Sequence, residues 1–92
     1  MEGNPYWPEK RIKKFRCHFS SWEKYLPNQA YDIADDYLEH HEFGLVAETI
    51  IDSIIENELK VPSNMAEELF KWCYEMDILD HTAMELIRAN LT

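Results

Sequence analysis

The sequence predicts an all-α fold, a compact antiparallel bundle of about five helices, on three observations. Apolar residues recur at spacings of three and four along most of the chain. Strand signals are missing: there are two glycines, no alternating β-branched run and no Asn-Gly or Asp-Gly turn. The periodic stretches are separated by connectors of a few residues, which make neighbouring helices antiparallel. The length of 92 residues allows one small domain, 1–92, with 1–8 as an N-terminal arm.

The first helix carries Ile12, Phe15, Phe19, Trp22 and Leu26 on one stripe. Pro8 stands where a helix start tolerates it, and Pro27 ends the stripe by pushing Leu26 out of helical geometry. The second helix starts at Asn28, a capping residue type. Its inward face would hold Ala30, Ile33, Ala34, Tyr37, Leu38 and His41, with Asp32, Asp35, Asp36 and Glu39 opposite. The third helix, about 42–58, has a wide apolar face (Phe43, Val46, Ala47, Ile50, Ile51, Ile54, Ile55) and is read as the central element. The fourth follows Val61-Pro62, with Asn64 and Glu67 at capping-box spacing. It buries Met65, Leu69, Trp72, Cys73 and Met76 and leaves Phe70 and Tyr74 off the stripe. In the fifth, Asp80 is the cap, Leu79 and Met84 form a staple, and Ala83, Met84, Ile87 and Leu91 face inward.

The formal net charge is −9, unevenly spread. Residues 1–24 hold six basic and three acidic residues; the remainder holds three and fifteen. The basic first helix either lies on the acidic body or presents its charge elsewhere. So acidic a balance argues against a nucleic-acid partner, which needs a Lys/Arg excess, and favours a basic one. No stretch approaches the ~18 apolar residues of a membrane helix, so no membrane role is expected. Residues 1–5 lack a secretory pattern, and Cys17 and Cys73 make no CxxC. They read as reduced thiols of a cytoplasmic protein.

No constellation points to an enzyme or a cofactor. The adjacent His40-His41 diverge by about 100° around a helix, whereas helical metal ligands sit at i and i+3 or i+4. No metal site is expected, and His41 is read as partly buried at a helix end. Cys17 and His18 are likewise neighbours whose side chains point apart. There is no glycine loop for phosphates.

What remains is a surface. Glu48, Asp52 and Glu56 lie at i, i+4 and i+8, a row of like charges costing a few tenths of a kcal/mol per pair, roughly, in an isolated helix. The row is either merely solvated or a partner-binding face. With Asp32, Asp35, Asp36 and Glu39, and Tyr31, Phe70 and Tyr74 as candidate exposed aromatics, it suggests a binding surface. The charges would steer and the aromatics, Tyr74 above all, would anchor. An alternative is a small acidic adaptor or regulatory module docking through the aromatics.

The stretch Tyr37-Leu38-Glu39-His40-His41-Glu42-Phe43-Gly44-Leu45-Val46-Ala47-Glu48 continues through Ile50-Ile51-Asp52, Val61-Pro62 and the Leu69/Trp72/Met76 helix. It resembles small helical bacterial immunity proteins of the Maf type and of contact-dependent growth inhibition systems. The resemblance covers about residues 30–79. It implies a cytoplasmic antitoxin that binds and blocks the C-terminal toxin domain of a cognate effector, often a nuclease. It transfers no particular contact residues.

Overall fold

The computed structural model describes residues 7–91. Five helices make up the fold: α1 (Glu9–Ser20), α2 (Asn28–Glu39), α3 (Phe43–Glu56), α4 (Ser63–Glu75) and α5 (His81–Arg88). Among the described residues no strand forms. An isolated parallel bridge ties Leu91 to Val61 in the α3–α4 connector. The radius of gyration is 12.4 Å, close to the ~12 Å expected of a folded chain this long.

Three helices are entered through proline. Pro8, Pro27 and Pro62 occupy the position before the first helical residue with φ of −62°, −55° and −64° and extended ψ. The ring presets the entry angle, and each helix therefore begins one residue later with no side-chain cap. This corrects two expectations: Asn28 is the first residue of α2 rather than its cap, and Asn64 lies inside α4. Asp80 does cap α5, accepting from the Thr82 and Ala83 amides at 2.9 and 3.2 Å.

The first helix ends earlier than its stripe. The Ser20 hydroxyl donates to the Arg16 carbonyl and the Ser21 hydroxyl to that of His18, competing with the backbone ladder. Residues 21–26 continue as tight turns, with amides of Trp22 and Tyr25 bonding three residues back. The winding is close enough to helical that Trp22 and Leu26 stay buried.

Helices α2, α3 and α4 end alike. In each, a non-glycine residue adopts the left-handed conformation: His41 (φ 57°), Glu58 (φ 48°) and Asp77 (φ 59°). The following amide bonds five residues back, Glu42 to Tyr37, Leu59 to Ile54 and Ile78 to Cys73. The left-handed residue bonds three back, to Leu38, Ile55 and Tyr74. These are Schellman motifs. They stop α3 at Glu56, short of the expected 58, and they place His41 outside rather than inside.

Helix α3 is central, packing against α2, α4 and α5 and meeting α1 through Phe43 and Phe15. An aromatic wall fills the junction of α1, α3 and α4. Trp7 stacks on Phe43 at 4.1 Å and 9°, and Phe15 meets Trp72 edge-on at 4.9 Å. The described end of the expected arm is thus in the core, Trp7 being buried; residues 1–6 lie outside the described residues. The Arg11 guanidinium lies 4.1 Å over the Trp7 ring and pairs with Glu75 at 3.3 Å.

Candidate functional site

The outer face of α3 carries the expected acidic row. Glu48, Asp52 and Glu56 are all exposed, along roughly 12 Å of helix at 1.5 Å per residue. None of the three is ion-paired among the described residues. Their carboxylates form a ridge with a groove on either side. The groove toward α2, about 370 Å³, is lined by Asp52 and Glu56 with Ala30 and Ile33. The groove toward α5, about 340 Å³, is lined by Glu48 and Asp52 with Ile51, Ile55 and Leu86. Asp52 lines both and is therefore the crest.

The grooves have apolar walls open to solvent. Ile33 is 46% exposed and Leu86 50%. Ile33 was expected to face inward. It stands about 100° around α2 from the buried Ala34 and lines the groove instead. Leu86 lies the same angle from Ile87 in α5; its position off the inward stripe was the available sequence signal.

The other expected site residues do not join the ridge. Asp32, Asp35, Asp36 and Glu39 line neither groove. Asp35 is half-buried, and Glu39 pairs with Arg16 of α1 at 3.5 Å. Asp36 gives its carbonyl to His40 Nδ1 at 2.8 Å, and that contact, with the nearby carboxylate, holds the His40 pKa above its ordinary value. Tyr74, 74% exposed on α4, also lines neither groove. Of the remaining aromatics expected outside, Phe70 is buried and Tyr31 stacks on Phe19 at 4.5 Å. Phe70 lies on the α4 inner face, and the Arg88 guanidinium covers it at 5.2 Å.

Cys17 is exposed and His18 buried, so the neighbours do diverge. Cys73 is a buried free thiol, and burial, helped by nearby Glu48, pushes its pKa up to about 11, which keeps it protonated near neutral pH. The His18 ring is sealed, its side chain 1% exposed. Trp22 Nε1 donates to its Nε2 at 3.2 Å. An indole nitrogen can only donate, so that Nε2 is an acceptor and the imidazole is neutral. Its proton sits on Nδ1, 3.4 Å from the Glu68 carboxylate. Burial holds the pKa below the ordinary histidine value, against the opposing pull of Glu68.

Among the described residues, no group of three or more His, Cys, Asp or Glu could hold a metal ion. No helix among them is long and apolar enough to cross a membrane. Compared with known proteins, the chain matches no protein-family model, no curated protein and no solved structure.

Proposed function

We propose that this chain is a cytoplasmic immunity protein that neutralises a cognate toxin domain by covering its functional surface with the α3 ridge. The observation that carries the proposal is Asp52: one carboxylate at the crest of an acidic row, with an apolar-walled groove on each side. That arrangement has the two parts a recognition surface needs. Unpaired like charges attract and orient a cationic partner, and Ile33 and Leu86 supply apolar area to be buried at contact. The resemblance of residues 30–79 to helical immunity proteins supplies the biological setting. The partner is the basic C-terminal domain of an effector. A nuclease suits best, because its substrate site must itself attract phosphate.

A standard interface takes about 800 Å² from each side, and a partner centred on Asp52 would cover both grooves. Protection against a lethal enzyme calls for nanomolar or tighter binding, about −12 kcal/mol. The test is co-expression with any toxin-like domain found encoded next to it, scored by survival and co-purification, together with association rates over a salt series. The rate should fall steeply with salt. Asp52→Lys with Glu56→Lys should slow it at least about ten-fold while the fold is kept. Normal binding by that variant would remove α3 as the docking face.

A second reading, a small adaptor docking through aromatics, is favoured by Tyr74 alone. Under it Tyr74→Ala would weaken binding more than Asp52→Lys, with little dependence on salt.

A further inference from the structure

We propose a second docking site, in the cleft between α1 and α4, that takes an acidic peptide segment of a partner protein. The cleft is about 490 Å³, within the size range of ligand sites. It lies apart from the α3 ridge, and the proposal does not rest on the immunity reading.

The charge pattern is the first observation. Lys10 and Lys14, one turn apart on α1, line the cleft together with Lys71 of α4. None of the three is ion-paired among the described residues, although the chain holds 18 acidic residues. Arg11 differs, being paired with Glu75 and stacked on Trp7. Three lysines thus gather in one concavity of an anionic protein, none of them held in a salt bridge among the described residues. Trp72 gives the cleft an aromatic wall.

The second observation separates a polypeptide from a phosphate polymer. Two carboxylates share the lining, Glu68 and Glu75. Each already receives one donor, from His18 and from Arg11 respectively, but a carboxylate accepts several more hydrogen bonds. A phosphodiester chain has acceptors where these groups also have acceptors, and would meet them with repulsion. A peptide brings backbone N–H donors for Glu68 and Glu75 along with carboxylates for the lysines. Only the peptide satisfies both signs of charge in the cleft.

The probe is a fluorescent octapeptide with two central leucines flanked by glutamates, titrated with the full chain and read by anisotropy. Its glutamine counterpart and an oligothymidylate of equal length serve as comparisons. The glutamate peptide should bind at least about ten-fold more tightly than the other two. Lys14→Gln with Lys71→Gln should cost about ten-fold, with circular dichroism unchanged, because both residues are exposed. Asp52→Lys should leave peptide binding intact, which separates this site from the ridge. The proposal is overturned by equal binding of the glutamine peptide or of the oligothymidylate. Undiminished binding by the double lysine variant, loss of binding in Asp52→Lys, or no binding near millimolar concentration overturns it equally.

Discussion

Phe43 and Asp52 belong to the same helix, α3, and their surroundings are opposites. Phe43 is buried, stacked on Trp7 and met edge-on by Phe15. Behind that wall the one buried imidazole, His18, has a partner on each nitrogen. Asp52 is exposed between two like charges and lacks a cation among the described residues. On the α1 and α4 side the acids Glu75 and Glu68 are paired; on the outer row they are not. The difference teaches that the aromatic packing where α1, α3 and α4 meet supports the fold while the outer row does not. The outer row contributes nothing favourable to it, so its presence calls for a reason outside the fold.

The hardest blow to that division is at the wall. Phe43→Ala removes the ring on which Trp7 stacks and should cost about 3–5 kcal/mol, a large share of the ~5–15 kcal/mol of a small domain. Urea unfolding would show it as a lower midpoint at constant slope. A loss under about 1 kcal/mol would mean that Trp7 and Trp72 close the gap and that the wall is not the main support.

The second test concerns the sealed His18. Burial holds its native pKa below the ordinary value of 6.5. Below that pH the unfolded chain therefore takes up a proton that the native state still refuses. Its contribution is complete above pH 6.5 and is lost as pH falls toward the native pKa, with a slope of at most about 1.4 kcal/mol per pH unit. His40 acts in the opposite sense, its native pKa being raised, so the total curve is not diagnostic. The difference between parent and His18→Gln is, because His40 is common to both. Stability measured from pH 7 to 5 should fall less steeply in the variant; equal slopes would contradict a buried neutral imidazole.

A smaller effect lies where the ridge ends. Glu58 holds a left-handed conformation at φ 48°, which costs a non-glycine residue about 1–2 kcal/mol. Glu58→Gly removes that strain but gives the unfolded chain more freedom, leaving a net gain of about 0.5–1 kcal/mol. Thermal unfolding should rise by several degrees, roughly 4–8 °C per kcal/mol at this size. Glu58→Gln removes the charge but not the strain, so a gain in both variants alike would assign the effect to electrostatics at the helix end.

How far such features can be read in advance depends on how local they are. The cap at Asp80, the inner face of α3 and the row Glu48, Asp52, Glu56 are set by spacing within one helix, and each was legible. The stop of α1 was not, because the stripe through Trp22 and Leu26 survives the change from helix to tight turns. The three left-handed helix ends were hidden because they use His41, Glu58 and Asp77 where glycine is the usual signal. The grooves were illegible for another reason. Whether Ile33 faces the core or a gap depends on where α3 stands. The cleft joins Lys14 to Lys71, residues that only the tertiary packing of α1 and α4 brings together.

The smallest effect on stability is the most informative about the ridge. Asp52→Lys turns two repulsive i, i+4 contacts into attractive ones, with Glu48 and with Glu56, each worth about 0.2–0.5 kcal/mol. Position 52 is exposed, so nothing in the core opposes the change. The variant should unfold at a denaturant concentration equal to or slightly above the parent's, while its association with a basic partner slows. A residue kept for stability cannot behave so: replacing it should weaken the fold. A gain in stability joined to a loss of binding would mark Asp52 as a carboxylate held against the interest of its own helix. If instead the fold loses more than about 0.5 kcal/mol, Asp52 has a structural partner, and the row is part of the scaffold like the paired acids of α4.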